Sequence, residues 1–139
     1  MTHYEDLSEY TYFPGSVPSG VTALNIGWLD PSQEYTHGST SDIFEKKLED
    51  LTYNSRQMKT RGWHRCHLPH ANGEDPYPIT VEISGTRIAL GGAEIRVVAE
   101  SGHWLIAPDL ILHYTREHSY KPPQEFIAAV IDHRIAPQV

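Results

Sequence analysis

Apolar positions fall into short periodic runs separated by polar, turn-rich stretches, and the period changes along the chain. VTALNIGW (Val21 to Trp28) alternates with a period near two and is closed by LDP, which predicts a strand. Phe44, Leu48 and Leu51 then recur at i, i+4 and i+7, the spacing of one helix face. Ser41 reads as the N-cap of that helix, and Asp42 and Glu45 suit the positive end of its dipole. A polar stretch, NSRQMKT, leads into RGWHRCH, read as a short strand. LPHANGEDPYP, with its Asn-Gly pair and two prolines, reads as a loop.

Period two returns in ITVEIS, continues through TRIAL past Gly85, and resumes in AEIRVVA after Gly91-Gly92. Glu100-Ser101-Gly102 marks a turn, with HWLIA as the return strand of a hairpin. Pro108 fits the first turn of a helix through DLILHYTREH. Pro122-Pro123 restarts a last helix whose stripe is Phe126, Ile127, Val130 and Ile131. Residues 1–20 contain Pro14, Gly15, Pro18 and Gly20 and read as an extended arm. Tyr4, Leu7, Tyr10, Tyr12 and Phe13 make it too apolar for a free tail, so it is expected to lie on the body; 135–139 read as a tail. Hairpins outnumber crossovers. The expectation is a single α+β domain over 1–139, with a mostly antiparallel sheet and about three helices packed on it.

The totals narrow the class. A chain of 139 residues buries about 70% of its unfolded surface, enough for one core without cross-links. One cysteine excludes an internal disulfide. The start MTHYEDLSEY has neither a basic nor an apolar leader segment, and no run approaches the ~20 apolar residues of a membrane span. A cytoplasmic protein with no membrane partner is expected. The formal charge of −7, from 18 acidic and 11 basic residues, argues against a nucleic-acid backbone binder and suits docking onto a basic protein. Arg56, Lys59, Arg61 and Arg65 form a local basic cluster, read as a solvated loop and strand edge.

The chemistry concentrates in RGWHRCHLPH, where His64, Cys66, His67 and His70 fall close together, and in the later His113 and His118. A cysteine-bearing turn, a hairpin, and a helix with H-x4-H is the order of parts in a zinc-finger-like site. Cys66 and His70 would supply one ligand pair and His113 and His118 the other, with His64 or His67 able to replace His70. Against this stands the bland reading: a polar strand end and partly exposed helix histidines. The five-residue spacing of His113 and His118 puts them about 140° apart on a regular helix, so the last turn would have to tighten.

Glu94, inside the apolar strand AEIRVV, is the candidate general base of an enzyme reading. Glu94 and Arg96 point the same way by alternation, so a surface ion pair explains both without chemistry. Nothing signals the oriented base and oxyanion site that a Cys66 nucleophile beside His64 would need. SGTRIALGGAE contains no nucleotide-binding pattern.

YEDLSEYTYFP, LNIGWLD, TRGWHRC, AEIRV and APDLILHYTREHSYKPPQEFIAAV together resemble a family of small, uncharacterised bacterial proteins, over nearly the whole chain. Members of that family often carry H-x-C-x-x-C. Here Cys66 matches the first cysteine and Pro69 stands where the second would be, so a metal would need His67 or His70 instead. The resemblance implies no activity. The reading is a non-catalytic accessory or immunity-type domain that binds a protein partner, with zinc as the candidate cofactor. The alternative is a small metal-dependent enzyme with an open coordination position and Glu94 as base.

Overall fold

The computed structural model describes residues 3–138. Besides two short 3-10 turns, eight strands and α-helices follow in chain order among these residues: β1 (Ala23–Asn25), α1 (Asp42–Asn54), β2 (Ile79–Ile83), β3 (Thr86–Leu90), β4 (Glu94–Val98), β5 (Trp104–Pro108), α2 (Ile111–Glu117) and α3 (Gln124–Ile131). The architecture is α+β. One sheet has the order β1-β5-β4, with β4-β5 an antiparallel hairpin and β1-β5 parallel; the other is the β2-β3 hairpin. Among the described residues no helix is long and apolar enough to cross a membrane.

Local signals explain most of these elements. Ser41 Oγ accepts the N–H of Phe44 at 3.1 Å, and Phe44, Leu48 and Leu51 face inward from α1. Ser84 and Gly85, with φ of 51° and 79°, form the two-residue turn that joins β2 to β3. The stripe of α3 buries Phe126, Ile127 and Val130. Pro108 differs from expectation: it ends β5 rather than starting a helix, and α2 begins at Ile111. Asp109 makes the difference, because its buried side chain is drawn back to the Gly91 N–H at 2.7 Å.

The three-stranded sheet is covered on both faces. Ile95, Val97, Leu105 and Ala107 belong to the main core with the helices, whereas Trp104 and Ile106 join Tyr10, Ala23, Trp28 and Ala136 in a second cluster. The arm makes that second layer. It runs antiparallel to β1, with Leu7 and Tyr10 donating to the carbonyls of Asn25 and Ala23 at 2.7 and 2.9 Å. The free edge of β1 is thereby closed. Ile135 bridges Val97, so the expected tail from 135 begins against β4.

This second layer corrects the reading of Glu94 and Arg96. They do share a face, but the arm covers it, and both are buried at 3% and 1% exposure. Arg96 Nε donates to Glu94 at 2.8 Å, Tyr10 donates to the same carboxylate at 2.7 Å, and Arg96 reaches Ser16 O at 3.0 Å. The pair clamps the arm to β4 rather than decorating the surface.

Candidate metal centre

The segment between α1 and β2 spans 55–78 and contains only a short 3-10 turn, Ala71–Gly73. RGWHRCH is not a strand. Single bonds tie it and the residue before it to the β3-β4 connection, His64 N–H to Gly91 O at 2.9 Å and Thr60 N–H to Gly92 O at 2.7 Å. Gly91 and Gly92 bring the two backbones into direct contact there. A Cβ on Gly91 would lie 2.6 Å from His64 O and 2.8 Å from His64 N, at a φ of +109°. Gly91→Ala is therefore expected to push the loop off the β3-β4 connection and cost about 2–4 kcal/mol. Urea unfolding measures this, and an unchanged midpoint would show that the close approach is dispensable.

Past that anchor the side chains alternate. Cys66 and Leu68 are buried, His67 is exposed, and His70 is half-buried. Opposite them stand His113, on α2, and His118, at its C-cap. The helix has ended at His118, whose φ and ψ are −126° and 12°, and the N–H groups of His118 and Tyr120 both return to Tyr114 O. Leaving the helical path removes the angular mismatch of a five-residue spacing. Tyr35 OH, donating to His118 O at 2.9 Å, fixes the same corner.

Four donor atoms converge as a result. Nε2 of His113 lies 3.2 Å from Nε2 of His70 and 3.2 Å from Nε2 of His118, and Cys66 Sγ lies 3.4 Å from Nε2 of His118. All four lie within 4.8 Å of one another. A tetrahedral zinc with Zn–N near 2.0–2.1 Å and Zn–S near 2.3 Å needs N···N edges of ~3.3 Å and N···S edges of ~3.6 Å. The closest approaches match those edges. This group could hold a metal ion.

The electrostatics suit the same role. Burial, and then the neighbouring His118 and His70, push His113 down to about 4. Burial first, then His70, lowers His118. Both rings are neutral at pH 7, with a lone pair free for a cation. Burial pushes the Cys66 thiol up, while the Leu68 N–H aimed at the sulfur offsets part of this. A metal would have to displace that proton.

The other sequence candidates stand apart. His64 and His67 are not members of the group, and neither is Glu94. His64 lines a cavity of about 20 Å³ with Tyr12, Trp28 and Glu94, room for roughly one water. Glu94 has both oxygens occupied by Tyr10 and Arg96. Asp109, which holds Gly91 and so the loop, was not singled out from the sequence. Its role depends on a bond to a residue eighteen positions earlier.

No curated protein and no solved structure gives a significant match to the chain. Residues 2–131 match the family model described as a domain of unknown function (DUF7919), and the chain belongs to that family.

Proposed function

We propose that the protein is a non-catalytic protein-binding domain of a reducing, cytoplasmic compartment, held in its binding conformation by one zinc ion. The observation that carries the reading is the set of four protein donors, Cys66 Sγ and the Nε2 atoms of His70, His113 and His118, around a single point. One thiolate with three imidazoles suits borderline-soft Zn²⁺ in a closed tetrahedron. Four protein ligands leave no position for the bound water that hydrolytic zinc chemistry requires. The metal would fasten the long loop to the end of α2, with all three rings protonated on Nδ1.

The same loop carries the surface that supports a protein-binding role. Trp63 and Tyr77 are exposed at 44% and 45%, Tyr77 donates to Trp63 O at 3.0 Å, and Arg65 lies 4.0 Å over the Tyr77 ring. Trp, Tyr and Arg are the residue types that dominate interface energetics. X-ray absorption on the zinc-loaded protein is the test. Expected are one sulfur and three nitrogen scatterers and no exchangeable oxygen. A water ligand in the shell would overturn the closed, non-catalytic reading.

A further inference from the structure

A groove of about 320 Å³ separates β3 from the start of the metal-bearing loop. Its lining includes Arg56, Lys59, Trp63 and Arg87 and no carboxylate, on a chain of net charge −7. Arg56 is occupied: its guanidinium donates to Asp109 and to Ala89 O, each at 3.2 Å. Lys59 and Arg87 make no ion pair among the described residues, although Glu82 faces Arg87 across the β2-β3 ladder. Two residues of the basic cluster, Arg56 and Lys59, line the groove, and Arg87 joins them from β3; Arg61 and Arg65 lie outside its lining.

The groove also meets an open strand edge. β3 pairs only with β2. The two-residue turn makes Ile83 and Thr86 a hydrogen-bonded pair, so alternation turns the N–H and C=O of Arg87 and Ala89 away from β2. The bond from Arg56 to Ala89 O shows that this outer edge faces the groove. Among the described residues the remaining outward groups of Arg87 and Ala89 have no backbone partner.

We infer that the groove docks a short, extended, acidic segment of a partner protein, which adds as a strand to the outer edge of β3. Its backbone pairs with the outward N–H and C=O of Arg87 and the outward N–H of Ala89, the Ala89 carbonyl staying with Arg56, and its carboxylates meet Lys59 and Arg87, with Trp63 packing against the alternate side chains. The inference takes the protein-binding reading as given and names the chemistry of the partner. The overall negative charge opposes it little, because exposed charges beyond a Debye length of ~8 Å are largely screened. Two free cations release too few counterions for firm binding to a nucleic-acid backbone, and one exposed tryptophan gives no stacking track.

The experiment titrates the isotope-labelled, zinc-replete full chain with a capped heptapeptide alternating glutamate and valine. Amide shifts are expected at 86–92 and at the Trp63 indole, and they should weaken as salt is raised. Lys59→Glu with Arg87→Glu should weaken binding by about tenfold or more while leaving the rest of the spectrum in place. A peptide of the same sequence N-methylated at alternate residues should not bind, because it cannot pair as a strand. Equal binding by the lysine-for-glutamate peptide, shifts confined elsewhere, undiminished binding of the N-methylated peptide, or tighter binding of a short single-stranded oligonucleotide would each overturn the inference. Metal content of the same sample reports separately on the zinc site. A natural partner captured equally by wild type and by the double variant would sink the groove and spare the protein-binding reading.

Discussion

Stripping the metal with a chelator is expected to lower the melting temperature by roughly 10–15 °C without unfolding the protein at room temperature. A ligand that binds only the folded state, at a free concentration ~1,000 times its dissociation constant, stabilises by about 4 kcal/mol. Unfolding entropy of ~2.1 cal/mol/K per residue gives ~0.3 kcal/mol/K for this chain, so that stabilisation corresponds to ~14 °C. The fold itself should survive, because the main core of sheet and helices needs only Cys66 from the four donors. His113→Ala and Cys66→Ser should melt near the stripped wild type and gain nothing from added zinc. A chelator with no effect on wild type would end the structural-metal reading.

Acid should expose the same site. In the metal-free protein His113 titrates near 4 when folded, against an ordinary value of 6.5. The folded state therefore binds fewer protons than the unfolded state in this window. The stability of the neutral ring is complete above pH 6.5 and is lost as pH falls from 6.5 to 4. The ring is partly exposed, so its share is discounted to about 1–2 kcal/mol. A zinc ion bound there would hold His113 in its neutral form, so acidification through the same window should release it. Metal release followed by a colorimetric indicator would check this.

Spacing and order nominate Cys66, His70, His113 and His118, with His64 or His67 able to replace His70. Deciding between those alternatives required the course of a loop without periodic structure, which packs on Gly91 and Gly92 in the distant β3-β4 connection. Helix α1 and the β2-β3 turn were readable because their signals are local. The parallel β1-β5 pairing was not, because it joins segments about eighty residues apart and leaves no mark in either one. Alternation correctly put Glu94 and Arg96 on one face. It could not say that the arm would cover that face, since burial there comes from Tyr10 and Ser16.

That covered pair should give the other large effect. Arg96→Met is expected to destabilise the protein by about 3–5 kcal/mol, a large part of the ~5–15 kcal/mol a domain commonly has. The substitution leaves the Glu94 carboxylate buried with only Tyr10 donating to it, and removes the donors to Ser16 that hold the arm. Burial already raises Glu94 above the ordinary carboxylate range, with Tyr10 and Arg96 holding it partly down. Without Arg96 it rises further. A carboxyl whose folded value lies above its unfolded one is stabilised fully at low pH and loses that stability as pH climbs through the folded value. The variant should therefore be relatively better tolerated near pH 5 than near pH 8. Glu94→Leu combined with Arg96→Met should recover a substantial share of the loss, because no charge is then left alone in the second core. Denaturant melts at the two pH values, with hydrogen exchange at the Tyr10 amide, separate the contributions. If Arg96→Met costs less than ~1 kcal/mol and leaves Tyr10 protected, the arm is held by its apolar residues alone and the ion pair is incidental to the fold.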